Sequence, residues 1–154
     1  MFKRIAVIGL GNSLRRDDGI GIIILESLLN NYKREAIDYL NFGIFSFDLI
    51  HRLQDYDLAL LIDGIAADLL PGELKIFGLG DATFTKKVHA VSSHELNLKD
   101  IFILTRKLAL KTRIYVAGIQ VTDVGFGESL SEPLKNNLEI ITEQIDKFIQ
   151  ERLL

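Results

Sequence analysis

The sequence contains no cysteine. That one absence excludes disulfides, thiolate metal sites, iron–sulfur clusters and a cysteine nucleophile, leaving oxygen and imidazole as the strong metal ligands. It also points to the cytoplasm as the compartment. No apolar stretch approaches the roughly 20 residues that span a bilayer. The run Ile5-Ala6-Val7-Ile8 after Met1-Phe2-Lys3-Arg4 is too short for a signal peptide. It breaks into Gly9-Leu10-Gly11-Asn12 without a small-residue cleavage pattern, and so reads as a buried strand. Lysine and arginine form no block longer than a pair, and the formal net charge is -3. The chain therefore lacks the electrostatic footprint for a nucleic-acid backbone or an anionic membrane, and neither is expected as a partner. Internal repeats and linkers are missing as well.

The 154 residues that are present, 48% hydrophobic and 25% charged, have ordinary globular usage. They predict one domain over residues 1–154 with one core. Arg4 to Leu10 is a continuous β-branched and aliphatic run, as expected of a strand covered on both faces. Apolar residues at helical spacing follow from Asp18 to Asn30-Asn31. A strand from Ala36 to Phe42 and a helix from Phe47 to Leu53 complete a βαβα pattern. Leu58 to Ile62 is the third strand, closed by Asp63-Gly64, and Glu73 to Gly78 the fourth, after a Pro71-Gly72 turn. Too few residues separate these two for a crossover helix, so the fourth strand is expected to be antiparallel and near an edge. A helix from Glu95 to Ala109, a strand from Arg113 to Ile119 and an amphipathic helix from Glu132 to Leu153 finish the chain. The fold class is α/β: three layers, a mostly parallel sheet with one antiparallel strand, and helices on both faces. Phe45 and Phe47 are expected in the core, with contacts to a partner as the alternative.

In such sheets ligands collect beyond the carboxyl ends of the strands, where strand order reverses. The turn after the first strand superficially suggests a dinucleotide site, but Leu14 stands where the third glycine of G-x-G-x-x-G belongs. The acidic residue expected after the second strand is replaced by Asn41-Phe42. A P-loop is also absent. Asp17 and Asp18 are either caps or ligands, and on local grounds capping wins, since carboxylates suit helix N-termini. Asp63 taken alone is ordinary Asp-Gly turn chemistry. His94 lies in Ser92-Ser93-His94-Glu95, where Ser92 and Glu95 have capping-box spacing. A helix N-terminus there would keep the imidazole neutral, with a lone pair for a metal. His51 and His89 read as ordinary surface or core histidines. Together, Asp18, Asp63 and His94 are expected at one sheet edge, where two carboxylates and an imidazole suit nickel, zinc or manganese with open coordination positions. No H-E-x-x-H motif is present. A Ser-His-Asp hydrolase is the competing assembly, but no G-x-S-x-G elbow exists and Ser13 has no evident base.

At these residues the sequence resembles the hydrogenase maturation proteases, which trim the C-terminal tail from the large-subunit precursor of nickel–iron hydrogenases. Gly11-Asn12-Ser13-Leu14-Arg15-Arg16-Asp17-Asp18-Gly19-Ile20-Gly21 is similar to the family's G-N-x-L-x-x-D-D/E-G/A-x-G opening. Leu61-Ile62-Asp63-Gly64, Pro71-Gly72-Glu73 and Ser93-His94-Glu95-Leu96 follow in the family's order. The stretch from Gly118-Ile119-Gln120 to Leu130-Ser131 is similar to the G-I-Q/E-P segment before the last helix. It leans towards the subgroup serving hydrogenases of the formate-hydrogenlyase kind. Two departures stand out. Asn41-Phe42-Gly43-Ile44 replaces the usual D-G-G-T, making that cleft wall more apolar, and Val121 replaces the proline after the glutamine.

The resemblance implies a twisted five-stranded sheet. It implies Asp18, Asp63 and His94 as metal-binding and catalytic residues, with Asp17 a neighbour that is not a ligand. It implies no permanently bound cofactor: nickel arrives in the precursor, is sensed by the three residues, and cleavage by water becomes a checkpoint on nickel insertion. The rivals are a module in hydrogenase assembly that binds a metal or peptide without cutting it, and a zinc aminopeptidase of related topology.

Overall fold

A computed structural model describes residues 3–44, 47–81 and 97–154. His89, Ser92, Ser93, His94 and Glu95 lie outside the described residues, as does Phe45. Within them the chain runs β1 (Ile5–Leu10), a 3-10 turn (Arg16–Gly19), α1 (Ile20–Asn31), β2 (Ile37–Gly43) and α2 (Phe47–Leu53). It continues through β3 (Leu58–Ile65), β4 (Leu74–Gly78), α3 (Leu98–Lys107), β5 (Arg113–Gln120) and α4 (Glu132–Phe148), which ends in a π turn (Ile149–Leu153).

The strands form one sheet in the order β2-β1-β3-β5-β4. All neighbours are parallel except β4, which pairs antiparallel with β5 at the edge. The short β3–β4 connection explains that exception, because it has no room for a crossover helix. Side-chain alternation along β1 divides the core between the two faces. Ala6, Ile8 and Leu10 pack in the layer that includes Leu49 and Leu53 of α2 and Ile101 of α3. Ile5 and Val7 pack with Ile20, Ile24 and Leu28 of α1 and Leu134, Ile141 and Ile145 of α4. The predicted three layers are therefore present, and β1 is wholly buried as its unbroken apolar run requires.

Three expectations need correction. Asp63 and Gly64 do not close β3. They lie within it, opposite Gly118 and Ile119 of β5, because β5 offers a partner as far as Gln120. Helix α3 begins at Leu98 rather than Glu95. Asn97 caps it by accepting from Asp100 N at 3.0 Å, while the Asp100 carboxylate accepts from Asn97 N at 3.1 Å. Phe47 is 64% exposed. It opens α2, whose buried face is made by Leu49, Ile50 and Leu53, and so points away from the core.

Candidate functional site

From β1 the chain proceeds to β2 on one side and, by way of β2, to β3 on the other, so strand order reverses at the carboxyl ends of β1 and β3. Asp63 is near the end of β3 and is 5% exposed, while Asp18, in the turn between β1 and α1, is fully buried. What joins them is the Gly11–Asn12 turn. Gly11 has φ of 127°, and a Cβ there would stand 1.9 Å from the Asp18 carbonyl oxygen and 3.8 Å from Asp63 Oδ1. Only glycine fits. The next residue, Asn12, donates its backbone N–H to Asp18 Oδ2 at 2.9 Å. The Asp63 carboxylate thus borders Gly11 and the Asp18 carboxylate borders Asn12, adjacent residues of one turn.

The start of α1 closes this end of the sheet. A Cβ at Gly21 would come within 2.2 Å of the Ile62 carbonyl oxygen and 2.4 Å of that of Leu10, so the helix backbone rests directly on the ends of β3 and β1. That contact brings the positive end of the helix beside the carboxylates, a favourable arrangement for negative charge. The departure at Asn41-Phe42-Gly43-Ile44 shapes the neighbouring wall. Asn41 Oδ1 accepts from Gly43 N at 2.9 Å, Gly43 takes φ of 55°, and its carbonyl accepts from Gly11 N at 2.8 Å. On the far side Gln120 organises the loop after β3, its Oε1 accepting from Ala67 N at 2.9 Å and Leu69 N at 3.2 Å.

The local capping reading of the aspartate pair does not hold. The N-cap of α1 is Gly19. Asp17 turns instead toward the loop after β5, where its carboxylate accepts from Thr122 N, Asp123 N, Ser131 N and Ser131 Oγ at 2.7–3.0 Å. Burial alone would raise its pKa, but these four bonds outweigh it and hold Asp17 below the ordinary carboxylate value of 3.8. Its only sequence signal was the doubling of aspartate, which does not reveal a partner more than 100 residues away.

Among the described residues no group of three or more histidine, aspartate and glutamate side chains is gathered to hold a metal. The two carboxylates of the predicted set converge, and the third member, His94, lies outside the described residues. His51 is exposed on α2, the surface placement of the two that the sequence left open.

With that geometry in place, comparison with known proteins decides the family. The family profile described as hydrogenase maturation protease (HycI) matches residues 22–147. The chain belongs to the hydrogenase maturation protease family. It is 26% identical over 151 residues to the hydrogenase expression/formation protein HoxM of Azotobacter vinelandii, covering 96% of this chain and 73% of that one. Among solved structures, the [NiFe] hydrogenase maturation protease HycI from Thermococcus kodakarensis KOD1 is 28% identical. It superposes with a TM-score of 0.74 over 97% of this chain and 94% of its own. The hydrogenase maturating endopeptidase HybD from E. coli shares the fold, with a TM-score of 0.82 at 24% identity over 96% of this chain and 93% of its own. Membership makes this family member a peptidase, a hydrolase of peptide bonds. Among its described residues no helix is long and apolar enough to cross a membrane.

Proposed function

We propose that this protein removes the C-terminal extension of a nickel–iron hydrogenase large-subunit precursor after nickel insertion, and that Asp18, Asp63 and His94 read the nickel that the precursor carries. The observation that carries the reading is the convergence of two buried carboxylates, Asp18 and Asp63, on the Gly11–Asn12 turn at the switch point of the sheet. Two carboxylates with one imidazole form a donor set that suits a nickel ion presented by the substrate. Nickel here is part of the substrate.

Gripping the nickel would bring the adjoining tail into the cleft. A water would lose its proton to a carboxylate of the pair and add to the peptide carbonyl, and the proton would pass to the departing amine. Exposed apolar side chains favour a protein substrate over a small one. Leu14, Ile44, Phe47, Leu70 and Phe126 follow the carboxyl ends of β1, β2, β3 and β5, around the same sheet edge. The names of the relatives, which are hydrogenase maturation proteins, support the substrate class.

The test is processing of nickel-loaded precursor by Asp18→Asn, Asp63→Asn and His94→Ala. Each is expected to lower the rate on the order of a hundredfold or more while the fold persists by circular dichroism. Undiminished cleavage by a folded Asp18→Asn or Asp63→Asn protein would contradict the reading.

A further inference from the structure

Two loops that are distant in sequence are fastened together over the end of β3. One carries residues 14–17, after β1; the other carries residues 122–131, after β5. Strands β1 and β5 are not neighbours, since β3 lies between them, so this clasp bridges the strand that bears Asp63. The Asp17 backbone oxygen would sit 3.4 Å from a Cβ at Gly64, which fixes how closely the bridge lies on β3.

The fastening is dense. Besides the four bonds to the Asp17 carboxylate, Asp17 N donates to Asp123 O at 2.9 Å, Arg16 N to Gly127 O at 2.9 Å and Gly127 N to Leu14 O at 2.9 Å. Arg15 Nε donates to Val124 O at 3.0 Å, and Arg16 Nε stands 3.6 Å from Asp123 Oδ2. The turn held in this way is not relaxed. Arg16 adopts φ of 44°, a left-handed conformation that disfavours a non-glycine residue. The next two residues are Asp17 and Asp18, in the same 3-10 turn. A clasp that holds Arg16 against its preference therefore also sets the direction in which Asp18 leaves the turn.

We propose that Asp17 is a positioning residue for the site. Its carboxylate locks the 122–131 loop onto the strained turn and by that means keeps the Asp18 carboxylate against Asn12 N, beside Asp63. Charge-assisted bonds to a fully buried carboxylate are the strongest of the contacts in the clasp, so their loss lets Arg16 relax and Asp18 swing. The same clasp holds the ridge on which Phe126, 86% exposed, lies 5.5 Å from the Arg15 guanidinium. The catalytic consequence of this inference rests on the function proposed above, whereas its structural consequence does not.

Two measurements on the full chain separate these. The first is amide hydrogen exchange in Asp17→Asn and in the milder Ser131→Ala, which removes one of the four bonds and leaves the backbone donors. The expected result is exchange faster by about tenfold at Thr122, Asp123 and Ser131, as loss of a hydrogen bond to a charged group implies. Exchange at Asn12 should rise with it, because that amide reports the position of the Asp18 carboxylate. Faster exchange in the 122–131 loop with Asn12 unchanged would overturn the proposal, and so would no change at either place. The second measurement is steady-state cleavage of nickel-loaded precursor by the same variants. A positioning role predicts a lower kcat with KM nearly unchanged, and partial recovery in Asp17→Asn compared with Asp17→Ala. A fall in melting temperature with kcat and KM both intact would assign Asp17 to stability alone and overturn the proposal. If the wild-type protein cleaves no precursor, the proposed function fails while the exchange result still decides the role of Asp17.

Discussion

At Gly11 a single methyl group decides whether the site exists. Its φ of 127° and the 1.9 Å approach to the Asp18 carbonyl mean that Gly11→Ala must displace the turn carrying Asp18. We expect a loss of about 3 kcal/mol or more by urea unfolding, from the combined strain and clash, together with loss of precursor cleavage. Asp17 gives a pH signature of known sign. Its pKa is lowered in the folded chain, so its contribution is complete above the ordinary carboxylate range and disappears as pH falls through the lowered value. The wild type should therefore lose stability more steeply than Asp17→Asn as pH falls below the ordinary carboxylate value of 3.8, since the variant has no such proton to bind. Denaturant titrations across that range measure the slope. Asp18 and Asp63 were legible in the sequence as a pair only through order and resemblance, since each alone had a better local explanation. Asp17 was not legible at all, because its four donors come from a loop that pattern reading cannot bring near it.

Among the elements, α3 shows how a reciprocal cap fixes the start of a helix. Its start lies where Asn97 and Asp100 satisfy each other's N–H groups, while the Ser92–Glu95 spacing lies outside the described residues. Asn97→Ala should cost about 1 kcal/mol in chemical denaturation, with the helix otherwise kept. Strand β3 extends through Asp63-Gly64, because Asp-Gly is turn chemistry only until a neighbouring strand supplies partners, as β5 does. Helix α4 is tied to the segment before β2 by an ion pair between Arg34 and the buried Asp146, where the carboxylate raises the arginine pKa. Arg34→Ala leaves that carboxylate without its cation, and the loss is expected to be about 2 kcal/mol. Because the pair lies away from the carboxyl edge, cleavage below the melting temperature should be unaffected.

At the scale of the whole molecule, the described residues form a mostly parallel sheet with β4 antiparallel at its edge, as hydrophobic runs and connection lengths predict, whereas the order of the strands was not legible in the sequence. Burial was legible only in part. Phe47 looks like core in sequence, but it joins Leu14, Ile44, Leu70 and Phe126 in exposed positions around the carboxyl edge. A protein substrate spread over that rim predicts that Phe126→Ala raises KM for the precursor about tenfold while leaving the melting temperature within a degree or two, as expected of an exposed side chain. An unchanged KM would remove Phe126 from the contact. Whether this peptidase reads nickel carried by its substrate is decided by a single processing assay. Purified protein is incubated with the cognate large-subunit precursor, prepared with and without nickel, and the released C-terminal peptide is quantified by mass spectrometry. The account predicts release from the nickel-loaded precursor alone, and equal release from the nickel-free precursor would contradict it.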